Sequence, residues 1–427
     1  MRRVYVGFLG LGTVGQGAVR TLLENQEDIM MKTGAEIEIK KIAVKHLNKK
    51  RDVEISPNLI TDDPYEVVDD PQIDIVVELI GGLEPARSLI KRALENGKNV
   101  VTANKEVIAL YGGELLPYAA ARKLDLYFEG AVGGGIPIVR PMKICLAGNR
   151  IYSVVGIVNA TTNYILTKMA EEKLTYQEAL KEAQEKGYAE ADPTYDVEGL
   201  DAAYKIAILA SIAFNSRVKV EEIYREGISK ISPVDLVYAE ELGYVIKLLA
   251  IAKQENDMLS IRVHPALIPK YHPLASVRGV NNAILIHGSS VGRVMFYGEG
   301  AGSLPTGSAV VGDIIDIARN IVFNCTGRIS CTCFKQIPQK DISEITSKYY
   351  IRMKVKDQPG VLAAIAACFG EEKVSIASVV QKRQVNESAE IVWITHPSNE
   401  GAMRRSLEKI EKLPVLEEIS LVLRAEE

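Results

Sequence analysis

Short apolar runs alternate with amphipathic stretches through the first third of the chain. The runs at 4–9, 36–44, 74–80 and 98–103 have the length and the Val/Ile content of buried strands. The stretch at 13–31 has apolar residues at helical spacing. Strands that alternate with helices are typical of a doubly wound α/β sheet, whose ligands bind beyond the carboxyl ends of the strands. We therefore predict a Rossmann-type domain here.

The pattern changes after residue 136 and again near the C-terminus. Residues 137–299 mix strand-like and helix-like stretches and predict an α+β domain. A polar segment at 336–348 has the composition of a linker. The tail, 349–427, then follows the order strand, helix, strand, strand, helix, strand, which is the ferredoxin-like βαββαβ arrangement. Because no cluster of catalytic residue types falls in the tail, we predict a small binding module.

A glycine-rich turn separates the first strand from the first helix. The glycines allow a tight turn and a close approach of the main chain to a pyrophosphate, whose charge the helix N-terminus favours. In this strand–turn–helix context the motif predicts a dinucleotide site formed by Gly10, Gly12, Thr13, Val14 and Gly15.

Basic residues follow the second strand. NAD-selective sites usually place Asp or Glu at this point to bond the ribose 2′-hydroxyl, whereas this chain has Lys45 and His46 and then a basic run at 49–51. Cations here would pair with a 2′-phosphate, so we predict that NADP(H) is preferred over NAD(H). A solvated basic turn without a ligand stays open as the alternative.

Three charged residues are candidates for the chemistry. Asp201 and Lys205 stand four apart, on one face of a helix whose following residues, 206–214, are almost entirely apolar. A surface ion pair is the plain alternative, but a charged pair at the mouth of a buried helix, next to the acidic segment 187–198, indicates a site. Lys105 follows the strand at 98–103, at the sheet edge where the cofactor would bind, although strand-end lysines often face only solvent.

The composition limits the classes of partner and the cellular compartment that we expect for this chain. The net charge of −4 and the lack of a long basic block argue against nucleic acid, and no apolar run approaches the roughly 20 residues that a membrane span needs. Five cysteines are few and odd in number, which favours a reducing cytoplasm. Cys331-Thr-Cys333 lacks zinc spacing and a nearby His, and we interpret it as ordinary thiols; whether either thiol bridges subunits stays open.

Several motifs together resemble the homoserine dehydrogenase family. They are GLGTVG (10–15), TANK (102–105), EGAVGGGIP (129–137), GIVNATTNYIL (156–166) and GYAEADPTYDVEGLDAAYK (187–205). The tail segment DQPGVLAAIAACF (357–369) resembles an ACT domain, an amino-acid-sensing module. The chain departs from the family at Ala160, where Gly is usual, and at Gly307 and Gly312, where Ala is usual; these departures concern backbone geometry.

The resemblance implies roles for individual residues. Lys205 matches the proton-donating lysine, Lys105 a second active-site lysine, and Asp201 the carboxylate beside Lys205. Substrate binding is implied for Glu190, which would hold the amino group, Asp196 and Lys105. The implied cofactor-binding residues, beyond those of the glycine turn, are Lys45, Lys105, Gly187 and Gly302. A sodium ion is implied on the loop residues Glu129, Val132, Gly134 and Ile136.

The resemblance also implies the reaction and the regulation. The predicted enzyme reduces L-aspartate 4-semialdehyde to L-homoserine reversibly with NADPH, on the route to threonine, methionine and isoleucine. We expect feedback through the ACT domain, with L-threonine as a candidate effector, and a homo-oligomer, either dimer or tetramer. The alternatives are an NADP-dependent dehydrogenase for another amino-acid aldehyde and a catalytically silent amino-acid sensor.

The predicted domains follow from the patterns and the resemblance together. Residues 1–136 form the NADP-binding domain, completed by about 300–335. Residues 137–299 form the substrate-binding, catalytic and dimerisation domain. The linker 336–348 leads to the regulatory ACT domain at 349–427, whose removal we expect to spare catalysis.

Overall fold

The computed structural model describes residues 2–255, 257–385 and 388–426. Its strands are β1 (Arg2–Leu9), β2 (Ala35–Ala43), β3 (Ile60–Thr61), β4 (Ile75–Glu78), β5 (Asn99–Thr102), β6 (Leu126–Tyr127), β7 (Ile151–Ile157), β8 (Tyr224–Arg225), β9 (Tyr244–Glu255), β10 (Met258–Pro269), β11 (Asn281–Gly288), β12 (Gly292–Glu299), β13 (Thr346–Lys356), β14 (Ile376–Val385), β15 (Ser388–Thr395), β16 (Ser398–Asn399) and β17 (Leu416–Ala425).

Its α-helices are α1 (Thr13–Glu24), α2 (Gln26–Thr33), α3 (Tyr65–Val68), α4 (Ala86–Glu95), α5 (Lys105–Ala121), α6 (Val139–Lys143), α7 (Ala160–Glu172), α8 (Tyr176–Glu185), α9 (Thr194–Val197), α10 (Leu200–Phe214), α11 (Pro233–Glu241), α12 (Ser303–Val322), α13 (Val361–Glu371) and α14 (Glu400–Ile410). Among the helices described, none has both the length and the apolar character needed to cross a membrane.

The chain divides into two compact units. Unit 1 consists of Met1–Ala160, Asp201–Ile223 and Val280–Gln336. Unit 2 consists of Thr161–Leu200, Tyr224–Gly279 and Ile337–Glu427. Unit 2 therefore contains the C-terminal module together with several segments that precede it. The domain boundaries set out from the sequence stay a prediction.

Unit 1 is built on a parallel sheet with the strand order β3-β2-β1-β4-β5-β6. The central strand β1 pairs with β2 and β4, and its last residue, Leu9, lies opposite Ala43 and Glu78. Helix α12 returns from far along the chain and packs Val310 and Ile314 into the core that contains β1. The predicted doubly wound sheet is confirmed. The same unit holds β7, β11 and β12, which pair antiparallel.

The single helix predicted over 13–31 is wrong, because the chain breaks at Asn25. That residue has φ −113° and ψ 22°, and it separates α1 from α2. Its side-chain Nδ2 donates to the carbonyl oxygen of Thr21 at 2.9 Å. Asparagine side chains compete in this way for main-chain acceptors, which explains why the helix ends there.

Unit 2 joins the C-terminal module to earlier strands through one sheet. β9 and β10 pair antiparallel, and the other edge of β10 pairs parallel with β17, the last strand of the chain. β17 continues into β13, β15 and β14, which are antiparallel. With α13 and α14 the module has the predicted βαββαβ order, extended by the two-residue strand β16. β13 begins at Thr346, within the segment predicted as a linker.

Buried charges lie where the module meets the earlier strands. The Arg424 guanidinium donates two hydrogen bonds of 2.7 Å to Glu400 and further bonds of 3.0 and 3.1 Å to Glu226. Glu426 forms ion pairs with Arg262 and, at 2.8 Å, with Lys253. Charges this deeply buried are stable only when they are paired and hydrogen-bonded. Their pairing therefore specifies how the module docks within unit 2.

Replacing Arg424 with Met is expected to lower the free energy of unfolding by about 3–5 kcal/mol, because Glu226 then loses its counter-charge and the buried Glu400 keeps only that of Arg404. Burial alone would raise the pKa of Glu400, but hydrogen bonds from Arg424 lower it to about 2. The wild-type stabilisation should therefore be present above the ordinary pKa of 4.5 and be lost as the pH falls through about 2. Urea denaturation followed by circular dichroism measures both effects.

The matched control for this prediction is Lys409→Met, which removes a cation from the same module. Its ammonium pairs with Glu371 and Glu372 at 2.8 Å on the surface. The expected change is below about 1 kcal/mol, as for other solvent-exposed pairs. Equal effects of the two substitutions would contradict a special contribution of the buried pairs.

Candidate active site

The glycine turn after β1 has the geometry that a dinucleotide needs. Gly10 has φ +103°, and a Cβ there would lie 2.7 Å from the carbonyl oxygen of Leu79. A Cβ on Gly15 would lie 2.7 Å from the carbonyl oxygen of Gly10. Gly12, at the N-terminus of α1, has open space where a side chain would be. The first and third glycines thus form the turn, while the second leaves room for a phosphate.

A cavity of about 680 Å³ opens at this turn. Its volume is within the range of small-molecule and cofactor sites. The lining residues include Gly10, Gly12, Val44, Lys45, His46, Lys49 and Arg51, together with the carboxylates Asp62 and Glu84. Arg51 is held by main-chain carbonyls, with its Nη2 donating to His46 O at 2.7 Å. Of the predicted basic residues after β2, all except Lys50 therefore line the same cavity as the glycine turn.

A second glycine-rich turn, at residues 300–308, lies beside the first. Gly302 caps α12 with φ +134°, and the next residue, Ser303, donates from Oγ to the carbonyl oxygen of Thr13 at 2.7 Å. A Cβ on Gly307 would lie 2.6 Å from the main-chain nitrogen of Ala18, so α1 and α12 approach at backbone distance. This contact explains why glycine stands at 307. At Gly312 the nearest atom to a Cβ is Arg140 Nη2 at 3.8 Å, and nothing in the structure requires glycine there.

The predicted catalytic residues come together around one buried carboxylate. Asp201 accepts from Lys105 Nζ and Lys205 Nζ, each at 2.7 Å and each on a different carboxylate oxygen. Asn159 Nδ2 donates to Asp201 Oδ2 at 2.9 Å, and Lys205 Nζ also donates to the carbonyl oxygen of Val158 at 2.7 Å. Burial by itself would raise the pKa of Asp201, but the two ammonium groups outweigh it and hold that pKa well below its ordinary value. We call Lys105, Asp201 and Lys205 the lysine–aspartate cluster.

The turn that precedes Lys105 is held by two residues, Glu78 and Asn104, to which sequence reasoning assigned no role. Glu78 ends β4 fully buried; it accepts from Thr102 Oγ1 at 2.6 Å and from the main-chain nitrogen of Ile80 at 2.8 Å. Burial raises the pKa of Glu78. Asn104 caps α5 by accepting from Val107 N, and its Nδ2 donates to Gly82 O at 2.6 Å. The carboxylate inside the apolar run at 74–80 was the signal that could have indicated Glu78.

The loop predicted to bind sodium is held through Glu129. Its carboxylate accepts hydrogen bonds from the main-chain nitrogens of residues 138–140, so the side chain caps α6. Its own main-chain nitrogen donates to Asp313 Oδ2 at 2.8 Å. Asp313 also pairs with Arg140, and burial raises its pKa to about 7. Asp313 and Arg140 were also missed, because they stand far from Glu129 in sequence and in no recognisable motif.

The remaining predicted substrate and cofactor residues lie in unit 2. Thr161 Oγ1 donates to Asp196 Oδ2 at 2.9 Å and contacts Tyr188 O at 2.7 Å. Glu190 is exposed, and its main-chain oxygen accepts from Gln184 Nε2. Gly187 has φ +74° and follows α8, which begins with a capping box formed by Thr175 and Glu178. Their roles toward substrate and cofactor stay a prediction.

Within residues 2–255, 257–385 and 388–426, no three His, Cys, Asp or Glu side chains are grouped so that they could hold a metal ion.

The chain has Ala160 where the family usually has glycine, and the backbone accommodates this residue without strain. That residue begins α7 and is not among the described residues with positive φ. It therefore does not need the conformational freedom of glycine.

Comparison with known families agrees with the geometry. The model of the homoserine dehydrogenase NAD-binding domain matches residues 10–129, that of the homoserine dehydrogenase domain residues 137–315, and that of the ACT domain residues 349–415. A homoserine dehydrogenase of Synechocystis sp. is 48% identical over 99% of both chains. The chain belongs to the homoserine dehydrogenase family. The predicted family and fold class are thus confirmed, and the chain is an NAD(P)-dependent oxidoreductase.

Other homoserine dehydrogenases support the assignment over the full length. The Bacillus subtilis enzyme is 42% identical over 100% of this chain and 99% of its own. The crystal structure of a homoserine dehydrogenase from Thiobacillus denitrificans superposes with a TM-score of 0.94, at 42% identity over 100% of this chain and 99% of that one. A hyperthermophilic archaeal homoserine dehydrogenase in complex with NADPH has a TM-score of 0.63 at 29% identity, covering 74% of this chain and 97% of that one.

The close contact between α1 and α12 gives a prediction about cofactor binding. Gly307→Ala is expected to lower the free energy of unfolding by about 1–3 kcal/mol, because its Cβ would press on the backbone of α1. The same displacement should weaken NADPH binding, since α1 begins at the glycine turn. Thermal unfolding and fluorescence titration with NADPH measure the two effects.

Gly312→Ala is the matched control in the same helix. Its Cβ has room, and alanine favours a helix interior over glycine by up to about 1 kcal/mol, so stability should stay equal or rise. If both variants bind NADPH as the wild type does, the packing of α12 on α1 does not support the cofactor turn.

Proposed function

We propose that this chain reduces L-aspartate 4-semialdehyde to L-homoserine reversibly with NADPH, a step in threonine, methionine and isoleucine biosynthesis. The observation that carries the proposal is the lysine–aspartate cluster, which presents two ammonium groups in the unit that also holds the glycine turn. The strand before Lys105 runs parallel to the strand before the glycine turn. Their carboxyl ends therefore meet at one sheet edge, where such sheets bind ligands.

The proposed chemistry assigns each residue of the cluster a task. A bound nicotinamide supplies the hydride. Negative charge grows on the aldehyde oxygen during reduction, and the Lys205 ammonium stabilises that charge and donates the proton. Asp201 and the carbonyl oxygen of Val158 orient Lys205 Nζ. Lys105 contributes the second positive charge, toward both substrate and cofactor, and in the oxidative direction Lys205 acts as a neutral base.

We also propose that the acidic loop selects the substrate. The Glu190 carboxylate is exposed, and in this proposal it pairs with the α-ammonium group of the aldehyde. Asp196 supports the same site from α9, where Thr161 orients its carboxylate. Gly187 and Gly302 provide main-chain surface for the cofactor. This division keeps the domain assignment set out above: residues 1–136 with about 300–335 for the cofactor, 137–299 for substrate and 349–427 for regulation.

Lys205→Ala is expected to lower turnover by about 10²–10⁴-fold, which is the usual contribution of a general acid. NADPH affinity should stay nearly unchanged, since the cavity at the glycine turn does not include Lys205. The assay follows NADPH absorbance with L-aspartate 4-semialdehyde, and binding is measured by fluorescence. Lys181→Ala, which removes a lysine exposed on α8, is the control and should match the wild type.

Turnover of Lys205→Ala at the wild-type level would remove Lys205 from the mechanism. A panel of other amino-acid aldehydes distinguishes this function from that of a related dehydrogenase, which would prefer a different member of the panel. A silent amino-acid sensor would show no NADPH consumption with any of them.

We propose that NADP(H) is preferred over NAD(H). Support comes from Lys45, His46, Lys49 and Arg51, which line the cavity at the glycine turn. A 2′-phosphate would meet these cations, whereas the 2′-hydroxyl of NAD(H) would find no counterpart among them.

Lys45→Ala is expected to raise the KM for NADPH by about 10-fold, the typical worth of one charge-assisted hydrogen bond, and to leave the KM for NADH unchanged. Lys50→Ala is the control, because this neighbouring lysine does not line the cavity. Initial rates with both cofactors measure the effect. An equal rise in the KM for NADPH and the KM for NADH would show that Lys45 does not bind the 2′-phosphate.

We propose a sodium site on the loop after β6. Gly133 and Gly134 have φ +77° and +58°, which turns the main chain sharply, and main-chain carbonyl oxygens can replace the hydration shell of an alkali cation. Because the Glu129 carboxylate is engaged by the nitrogens of α6, the ion would meet the loop through main-chain oxygens. The residues that fit it are Glu129, Val132, Gly134 and Ile136.

We propose L-threonine as an effector of the ACT domain, a homo-oligomer as the assembly and the cytoplasm as the compartment. The five cysteines are free thiols, as a reducing compartment requires. Deleting residues from 349 onward is not a clean test of regulation, because it would leave Arg262 and Glu226 without their buried partners. Initial rates of the full-length enzyme with and without L-threonine test the effector directly.

A further inference from the structure

Two cysteines outside the lysine–aspartate cluster share a small cavity in unit 1. Cys331 and Cys333 lie on the loop after α12, and the main-chain nitrogen of Lys335 donates to Asn215 O at 2.8 Å, which fixes this loop at the end of α10. The cavity has about 20 Å³, room for roughly one water-sized molecule. Its walls include Ile108 and Leu116 of α5 and Ile208, Ser211 and Ile212 of α10.

The two sulfur atoms have different surroundings. Arg217 Nη2 donates to Cys331 Sγ at 3.4 Å, and Cys333 Sγ donates to the carbonyl oxygen of Ser211 at 3.5 Å. Lys143 lines the same cavity. The neighbouring side chain and main chain of Cys333, together with the charges of Arg217 and Lys143, lower the pKa of Cys331. The pair therefore releases one proton readily and retains the other, which is the ionisation state of a reactive dithiol.

Both thiols are also accessible to a small reagent. Each residue is half-buried rather than enclosed, and only Thr332 separates them in the chain. Thiolates in electropositive, partly exposed surroundings are the sites that oxidise first in proteins. A resolving thiol at this separation makes disulfide formation the expected fate of the first oxidation product.

We propose that Cys331 and Cys333 form a peroxide-sensitive dithiol that closes to an intramolecular disulfide. The Cys331 thiolate attacks one oxygen of hydrogen peroxide; an S–O bond forms, the O–O bond breaks, and the released hydroxide takes up a proton to become water. Cys333 then attacks the sulfur of the sulfenic acid; the S–S bond forms, the S–O bond breaks, and the second oxygen leaves as water with the proton of Cys333. Two electrons pass from the thiols to the peroxide.

The disulfide changes contacts on helices that carry the cluster. A disulfide has an S–S length of about 2.05 Å, so the two sulfur atoms must leave their present contacts and come together on oxidation. Arg217 then loses its anionic partner, and the contact of Cys333 with Ser211 of α10 must adjust. α5 begins at Lys105 and α10 carries Lys205. The proposal itself concerns the thiols and does not depend on which aldehyde the enzyme reduces.

The experiment uses the full-length enzyme and one tryptic peptide. Cleavage after Arg328 and Lys335 releases residues 329–335, which contain Cys331 and Cys333 and no other oxidisable sulfur; Cys325 lies in the preceding peptide. After brief treatment with equimolar hydrogen peroxide, mass spectrometry should show this peptide lighter by two hydrogen atoms, and a reductant should restore it. Before oxidation, iodoacetamide at about pH 6 should label Cys331 at least ~10-fold faster than the exposed Cys145.

Two isosteric variants provide the controls. Cys331→Ser and Cys333→Ser each remove the disulfide, while Cys145→Ser should oxidise at 329–335 as the wild type does. The proposal fails if the peptide stays reduced while Cys145 oxidises, or if Cys331 and Cys145 are labelled at equal rates. A covalent dimer on a non-reducing gel that needs Cys331 or Cys333 would equally overturn it, since the bridge would then join two chains.

Discussion

Two lysine ammonium groups share one buried carboxylate, and the proposed active site depends on that arrangement. Asp201 is 2% exposed, so its charge persists only because Lys105 and Lys205 each occupy one of its oxygens. Burying charges costs free energy that good geometry and added hydrogen bonds must offset, and Asn159 and Val158 O supply those bonds. One carboxylate cannot neutralise two ammonium groups. The cluster therefore retains a net positive charge, which suits an oxygen that becomes negative during reduction.

The parts of this site that could be predicted from the sequence are those whose residues lie close together in the chain. Asp201 and Lys205 are one helical turn apart, so their contact follows from spacing alone. The glycine turn follows equally from its place between a strand and a helix. Glu78 and Asp313 were missed because each acts through a partner distant in sequence, and the bond from Asn104 to Gly82 O was missed for the same reason. Such partners become visible only once the parallel sheet has brought the strand ends together.

Two features of the fold could not be predicted from the sequence, because each depends on contacts that the hydrophobic pattern does not show. The break at Asn25 depends on a single side-chain hydrogen bond, which an amphipathic pattern does not encode. The pairing of β10 with β17 joins strands that are far apart in the chain, on the edge of β10 that also pairs with β8. The hydrophobic pattern of each strand is that of any buried strand and does not indicate which strand it pairs with. The pairing is selected by the backbone hydrogen bonds between the two strands and by the buried ion pairs of Arg262 and Arg424.

The position of β17 has a consequence for biosynthesis. The ribosome synthesises β17 after every other described strand of unit 2, so until then Ala266 and Leu267 of β10 and one edge of β13 lack their partner, and Arg262 lacks the Glu426 carboxylate. Unit 2 therefore cannot complete its fold before β17 has been synthesised, although its first segments are made more than 200 residues earlier. A stop codon just before β17 would release a chain in which the β13 edge is exposed and the buried Arg262 has lost Glu426. Exposed sheet edges promote aggregation, and incompletely folded chains are degraded by quality-control proteases.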